Sequence, residues 1–121
     1  MAKRILVVDD EPDVVMIITR RLVANGYVVL SVANGEGLIA KLTTFRPDAI
    51  LLDVMMPGQD GLQIAKHLGK TPGTATIPIV FISALISLHH PQTYPTNPLH
   101  HYLGKPFEHE VLLGLLKRIG V

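Results

Sequence analysis

Short apolar runs rich in β-branched residues alternate with helical patterns along this chain of 121 residues. Four of the runs are RILVV (4–8), YVVLSV (27–32), DAILL (48–52) and IPIVFI (77–82). Such nearly continuous hydrophobicity is typical of strands buried on both faces of a sheet. LHHYLGK (99–105) takes the position of a fifth strand. Five alternations of strand and helix predict an α/β fold, with a parallel sheet, helices on both faces and right-handed crossovers.

Helical periodicity separates the predicted strands. Val14, Ile18 and Leu22 form one apolar stripe, which begins after Pro12, a residue suited to a first helical turn, and ends at Gly26, a C-terminal stop. Three further helices are predicted over residues 36–45, 60–69 and 108–119, the second of these with an aspartate as its N-cap.

Composition limits the class of protein and its surroundings. With 48% hydrophobic residues and a formal net charge of +1, the chain is expected to form one domain over residues 1–121. Its basic residues make only isolated pairs, so we expect no direct nucleic-acid binding and no binding to anionic membrane surfaces. The first apolar run is too short for a signal peptide and no stretch has membrane-spanning length. Together with the absence of cysteine, these features predict a cytoplasmic protein.

Polar side chains follow the predicted strands where parallel α/β sheets form their sites, at the carboxyl ends. Asp9 and Asp10 follow strand one, and Asp53, Ser83 and Lys105 end strands three, four and five. Each alone has an ordinary explanation, since Asp and Ser commonly end strands and a lone Lys is usually surface charge. Clustered carboxylates repel one another unless a cation compensates, and Mg²⁺ prefers carboxylate oxygens together with phosphate oxygens. The set therefore predicts a Mg²⁺ site for phosphoryl chemistry, with an aspartate as nucleophile. Ser83 is the alternative nucleophile, but no nearby base is evident for it.

Four motifs carry a resemblance to a known family. VVDDEP (7–12), DAILLDVMMPGQDGL (48–62), FISA (81–84) and YLGKPF (102–107) occur in this order and at the usual spacing of the receiver domains of bacterial two-component response regulators. The chain resembles these domains over essentially its whole length. The resemblance implies a receiver domain over 1–121 with a flavodoxin-like, doubly wound, five-stranded parallel sheet of strand order 2-1-3-4-5.

The resemblance also implies a role for individual residues. Asp53 would accept a phosphoryl group from a phosphohistidine on a sensor kinase or phosphotransfer protein, so that the domain is a phosphoacceptor with at most slow self-dephosphorylation and not an enzyme. Asp10 and Asp53 would bind Mg²⁺ directly, Asp9 would act through water, and the main-chain carbonyl of Met55 would complete the protein ligands.

Three further positions complete the implied mechanism. Ser83 would hydrogen-bond a phosphoryl oxygen and move with it, Lys105 would pair with another oxygen, and Tyr102 stands at the aromatic switch position; its structural alternative is a half-buried strand aromatic. The added charge would be read by a downstream protein or output domain on the face of the fourth helix, fifth strand and fifth helix. A homodimer through this face stays open, as do the kinase, the pathway, the target and whether an effector domain follows Val121.

The interval before strand five departs from the family pattern. Pro91, Pro95 and Pro98 exclude a regular helix across it, because one proline inside a helix costs about 3 kcal/mol. We therefore predict a fourth helix that is shortened or disordered.

Residues 89–101 also hold four of the six histidines. Adjacent histidines on a strand point to opposite faces, which favours a solvated loop over a transition-metal site, with a pH-sensitive partner surface as a further hypothesis.

Other functions of the same fold fit less well. A flavodoxin-like mononucleotide binder would need a phosphate-cradling first loop, whereas DDEPD (9–13) repels phosphate. A Mg²⁺-dependent phosphohydrolase would need a second carboxylate just after Asp53, which VMMPG follows instead. A receiver-like domain that binds partners without phosphorylation is the main alternative. The resemblance also implies that the positions two residues beyond the aspartate and the hydroxyl tune the lifetime of the phosphoryl group. Here they are Met55 and Leu85, and since neither side chain can orient a hydrolytic water, we predict a long-lived aspartyl phosphate.

Overall fold

A five-stranded parallel sheet forms the centre of the molecule. The computed structural model describes residues 2–56, 59–83, 99–105 and 107–121, and at residues 55, 56, 59 and 60 it describes the backbone alone. The sheet strands are β1 (Arg4–Val8), β2 (Val28–Val32), β3 (Ala49–Asp53), β6 (Ile79–Ser83) and β7 (His100–Gly104). They lie in the order β2-β1-β3-β6-β7, and every neighbouring pair is parallel. Numbered within this sheet alone, the order is the predicted 2-1-3-4-5, so the fold prediction is confirmed.

Four helices connect or follow these strands in the described residues: α1 (Pro12–Ala24), α2 (Gly35–Phe45), α3 (Gly61–Gly69) and α4 (His109–Arg118). The predicted helix start at Pro12 and stop near Gly26 are confirmed, and Gly26 has the positive φ of 90° that a stop requires. α2 begins one residue earlier than expected because Asn34 caps it, its side chain accepting a hydrogen bond of 2.8 Å from the Gly37 amide. None of these helices is both long and apolar enough to span a bilayer.

The helices cover the sheet on two sides and create two separate apolar layers. α1 and α4 bury one layer, which includes Ile18, Leu22, Leu112 and Leu116 against the strands. On the other face, α2 and α3 contribute Leu38, Leu42, Ala65 and Leu68. Alternate residues of each central strand enter opposite layers: in β1, for example, the side chains of residues 5 and 7 face one layer and those of residues 6 and 8 the other. Burial of both faces explains the continuous hydrophobicity of these strands.

A short ribbon after β3 was not anticipated from the sequence. β4 (Met55–Met56) pairs antiparallel with β5 (Gln59–Asp60), just before α3. Two-residue strands carry no hydrophobic periodicity that a sequence pattern could reveal. The predicted shortening of the fourth helix falls on residues 84–98, which lie outside the described residues, so α4 corresponds to the fifth helix of the predicted pattern.

Candidate functional site

Four adjacent strands deliver the predicted site residues to one edge of the sheet. Asp9 directly follows β1, Asp53 and Ser83 are the last residues of β3 and β6, and Lys105 directly follows β7. Because β1, β3, β6 and β7 are neighbours and parallel, their carboxyl ends open into one cleft. Asp9, Asp53 and Ser83 are the buried polar residues of the described chain, with exposed fractions of 4%, 4% and 2%. Two nearly buried carboxylates so close together require compensation by positive charge.

Backbone hydrogen bonds fix the loops that carry these side chains. The Asp9 amide donates to the carbonyl of Val32 at 3.2 Å, which extends the pairing of β1 with β2 by one residue. The Glu11 amide then donates to Oδ1 of Asp9 at 3.0 Å, a local turn that leads directly into α1. One carboxylate oxygen of Asp9 is thereby occupied by the backbone, and its other oxygen is left for the cleft.

The loop after Asp53 is held by a close approach of two backbone segments. The Gly61 amide donates to the carbonyl of Val54 at 2.9 Å. A Cβ at position 61 would lie 2.5 Å from the Asp53 carbonyl oxygen and 2.9 Å from Cα of Val54. Only glycine therefore fits here, and its small size lets α3 begin directly against the strand that ends in Asp53.

The ammonium of Lys105 provides the positive charge of the cleft. Its Nζ lies 2.9 Å from Oδ2 of Asp9, 3.5 Å from Oε1 of Glu11 and 3.9 Å from Oδ2 of Asp53. The Lys105 amide donates to the Ser83 carbonyl at 3.0 Å, which anchors the residue at the end of β7. One lysine thus reaches carboxylates contributed by two other strand ends and by the residue that precedes α1.

The environment raises the pKa of Lys105 above its ordinary value. Burial acts in the opposite direction and is the largest single effect, since it disfavours the charged amine. The hydrogen bond to Asp9 and the negative charges of Asp9, Asp53 and Glu11 together outweigh it. Lys105 is therefore a permanent cation at neutral pH and can serve as an electrostatic partner for an anion in the cleft.

The carboxylates of the cleft have the chemistry of a divalent-cation site. Asp9, Asp10, Glu11 and Asp53 each offer one oxygen, and these four oxygens all lie within 4.8 Å of one another. Asp10 and Glu11 are exposed whereas the other two are buried, so the cluster has a closed floor and an open rim. Hard oxygen donors in this arrangement fit Mg²⁺, which keeps several waters and takes few protein carboxylates. Met55, the predicted main-chain ligand, lies in β4, two residues beyond Asp53.

Tyr102 lies on β7 against the core and not at the cleft rim. Its ring stacks on Phe81, with centroids 5.1 Å apart and planes inclined by 17°. Phe81 is fully buried, and Tyr102 is partly buried beside it in the layer formed with α2 and α3. A partly buried ring on the strand is compatible with both the switch role and a structural role, and the switch role stays a prediction.

The adjacent histidines of β7 point away from each other. His100 makes an edge contact with the ring of Phe81 at 5.2 Å, whereas His101 is close enough to Arg118 of α4 to be affected by its charge. Burial lowers the pKa of both rings, assisted at His100 by the charge of His101 and at His101 by that of Arg118. Opposite faces are expected of neighbouring residues on a strand. His89 and His90 lie outside the described residues.

Two contributors to the site were not assigned a role from the sequence. Glu11 appears in the sequence patterns only as part of the motif VVDDEP (7–12), and its contact with Lys105 joins residues 94 positions apart. Gly61 has no chemical group that would draw attention to it. Its signal is the motif GQDGL (58–62), in which a glycine precedes the apolar face of a helix.

The fold and the cleft define a class of small α/β domain with an acidic pocket at the carboxyl ends of its strands and a lysine that contacts the carboxylates. The model of the response regulator receiver domain family matches residues 5–117. The chain belongs to this family.

Relatives and solved structures agree with this assignment. The chain is 31% identical over 116 residues to protein PilH of Pseudomonas aeruginosa, with 96% of both chains covered. It is 44% identical over 85 residues to the response regulator PleD of Caulobacter vibrioides, which covers 70% of this chain but only 19% of PleD. Among solved structures, the receiver domain of the sensor histidine kinase PA1611 from Pseudomonas aeruginosa, with a magnesium ion coordinated in the active site cleft, is 29% identical with a TM-score of 0.83, covering 98% of this chain and 97% of the other.

Proposed function

We propose that Asp53 is the phosphoacceptor of this receiver domain. Its carboxylate is nearly buried at the end of β3, in the same cleft as three other carboxylates and the ammonium of Lys105. The observation that carries the proposal is the shared lysine, whose Nζ lies within 4.0 Å of both Asp9 and Asp53. A cation held between the two buried carboxylates can follow a phosphoryl group that is added to one of them.

The proposed reaction is a transfer from a phosphohistidine. A carboxylate oxygen of Asp53 attacks the phosphorus, a P–O bond forms, and the P–N bond to the donor imidazole breaks. The imidazole nitrogen keeps the electron pair of that bond and takes up a proton from solvent. Asp53 needs no base, because it is already a carboxylate, and the work of the site is to position and neutralise the phosphoryl oxygens.

Mg²⁺ is the cofactor that the cleft is proposed to hold, with Asp10, Asp53 and the carbonyl of Met55 as direct ligands and Asp9 acting through water. When bound, the ion would neutralise charge that develops on the phosphoryl oxygens. Its coordination in the cleft of the related PA1611 receiver supports this assignment. Within the chain itself, the support is a set of four carboxylate oxygens within 4.8 Å.

Ser83 and Lys105 are proposed to bind the phosphoryl group once it is on Asp53. Ser83 ends the strand beside β3 and is buried at the floor of the cleft, where its hydroxyl can donate to a phosphoryl oxygen. Lys105 would pair with a second oxygen. Movement of Ser83 and Tyr102 would then transmit the change to the face formed by the fourth helix, β7 and α4.

The partners follow from this chemistry as proposals. A sensor histidine kinase or a phosphotransfer protein would supply the phosphoryl group, and a downstream protein or output domain would read it. The chain spans less than two thirds of several curated relatives, including 19% of PleD and 34% of the transcriptional regulatory protein PhoP of Bacillus subtilis, but 96% of PilH. A cytoplasmic location, the single-domain extent over 1–121 and dimerisation likewise stay predictions.

Intact mass spectrometry tests the acceptor directly. Wild-type protein incubated with acetyl phosphate and Mg²⁺ should gain the mass of one phosphoryl group, and Asp53→Asn should gain none. Asp13→Asn, which removes an exposed carboxylate from the first turn of α1, is the matched control and should behave as wild type. An equal gain by wild type and Asp53→Asn would refute the assignment. No gain by either would favour a receiver that binds partners without phosphorylation.

A further inference from the structure

Glu11 occupies a helix-capping position without capping the helix. It is the N-cap residue of α1, with φ −95° and ψ 106°, but its side chain makes no capping hydrogen bond. N-cap positions favour Ser, Thr, Asp and Asn, whose short side chains reach the free amides of the first turn. The carboxylate of Glu11 is directed across the cleft instead, where Oε1 lies 3.5 Å from Nζ of Lys105.

The three carboxylates around Lys105 differ in their other tasks. Asp53 is the proposed acceptor, and Asp9 already accepts a hydrogen bond from the Glu11 amide and belongs to the proposed cation site. Glu11 is 60% exposed at the rim; its oxygen belongs to the cluster of four carboxylates, but Glu11 is not among the ligands proposed for the cation. A divalent cation in the cleft would compete with the ammonium for the charge of Asp9, even through an intervening water. Glu11 would then be the contact of Lys105 that is neither the proposed acceptor nor a proposed ligand of the cation.

We propose that Glu11 is a positioning residue for Lys105. Its carboxylate keeps the ammonium of Lys105 at the mouth of the cleft, within reach of Asp53, when Asp9 interacts with a bound divalent cation. The same backbone turn sets both partners of the lysine, because the Glu11 amide is bonded to Asp9 while the Glu11 side chain lies beside Nζ. The proposal rests on the proposed function in assigning Asp53 as acceptor, but the contact it invokes is independent of phosphorylation.

Order in the lysine side chain is the first readout. Nitrogen-15 relaxation of the Lys105 ammonium, identified by its loss in Lys105→Met, should show a restrained group in wild type with and without Mg²⁺. Glu11→Gln should lower its order parameter, and the loss should be larger when Mg²⁺ is present. Glu36→Gln, an equal charge change at an exposed position in the first turn of α2, should leave it unchanged. An unchanged order parameter in Glu11→Gln with Mg²⁺ would overturn the proposal.

A double-mutant cycle on the rate of phosphorylation is the second readout. Glu11→Gln should slow phosphorylation of Asp53 by acetyl phosphate at saturating Mg²⁺ by about two- to fivefold, the range expected of a partly exposed ion pair. In a Lys105→Met background the same substitution should have no effect, because the group that it positions is gone. An equal slowing in both backgrounds would show that Glu11 acts through the cation or the donor and would overturn the proposal. If Asp53 is not phosphorylated at all, the proposed function fails while the relaxation measurement still decides the role of Glu11.

Discussion

The ammonium of Lys105 lies 2.9 Å from Asp9 but 3.9 Å from Asp53. The lysine thus contacts both carboxylates and lies nearer to Asp9 than to the proposed acceptor. Both carboxylates are nearly buried. A phosphoryl group on Asp53 would bring strong acceptor oxygens toward the ammonium, so only a small movement of one flexible side chain is required.

Removal of the lysine should make the stability of the protein depend on Mg²⁺. Lys105→Met leaves the buried carboxylate of Asp9 without its cation, and we expect a loss of about 1–2 kcal/mol in the free energy of unfolding without divalent ions. This is less than for a fully buried pair, because 17% of the lysine side chain is exposed. Mg²⁺ should restore part of the loss by replacing the missing charge.

Urea unfolding in EDTA and in Mg²⁺ measures this effect. Lys3→Met removes an exposed lysine far from the cleft and should change stability little under either condition. If Lys105→Met lost the same free energy of unfolding in EDTA and in Mg²⁺, the expectation that the metal ion replaces the missing positive charge would be contradicted.

A methyl group at position 61 should disturb the site through the backbone. Gly61→Ala places a Cβ 2.5 Å from the Asp53 carbonyl oxygen, so either α3 or the end of β3 must shift. We expect a loss of about 1–3 kcal/mol in stability together with slower phosphorylation. Gly114→Ala in α4 is the matched control, since nothing lies within 4 Å of its added Cβ, and it should stabilise the helix by about 0.5–1 kcal/mol. If the two variants showed the same change in the free energy of unfolding in urea, the expected steric conflict at position 61 would be contradicted.

Acid should destabilise the protein partly through His101. Burial and then the charge of Arg118 lower the pKa of this ring below the ordinary value of 6.5. Well above pH 6.5 both the folded and unfolded states hold a neutral ring, so the shift has no effect on stability. As the pH falls below 6.5, the unfolded chain takes up the proton first, and stability is lost.

Removal of the neighbouring charge should raise the pKa of His101 only in part. Arg118→Gln removes the smaller of the two causes and leaves burial in place. Lys117→Gln, at the preceding residue of α4, is the charge-matched control. Proton NMR titration of the histidine rings reports the pKa directly, and an equal shift in both variants would argue against a specific effect of Arg118.

The aspartyl phosphate should decay slowly, because the residues two positions beyond Asp53 and Ser83 in the sequence are apolar. Met55 and Leu85 offer no side-chain hydrogen bond to a hydrolytic water; this rests on the sequence, since Leu85 lies outside the described residues. The double substitution Met55→Asn and Leu85→Glu should speed decay by about tenfold, through better orientation of water. Loss of phosphoryl mass with time measures the rate, and an unchanged lifetime would remove the idea.

Much of the architecture could be predicted because local patterns and the global fold agree. The strands of the sheet read as apolar runs, because α1 and α4 cover one face and α2 and α3 the other. Pro12 and Gly26 marked the ends of α1 correctly, for the physical reasons that favour them at these positions. The strand order itself came from the family resemblance, since periodicity does not determine which strands are neighbours.

The sequence predicts which residues form the cleft, but not which of them contact one another. The rule that parallel strands end at a common edge placed Asp9, Asp53, Ser83 and Lys105 together, and the structure confirms their arrival at that edge. The preference of Lys105 for Asp9 over Asp53, and the participation of Glu11, depend on side-chain reach and on a turn after β1. Such details arise from tertiary geometry, and no spacing in the sequence encodes them.

The Tyr27 hydroxyl donates a hydrogen bond of 3.0 Å to the carbonyl of Val121. Tyr27 directly precedes β2, and Val121 lies three residues after the end of α4, so this bond holds the segment after α4 against the start of β2. That start lies at the edge of the sheet opposite the acidic cleft, because β2 runs parallel to β1. A fluorophore or affinity tag fused after Val121 would therefore emerge on the far side of the molecule from Asp53. Labelled or immobilised protein should remain accessible to a phosphodonor, which makes surface-based measurement of kinase exchange practical.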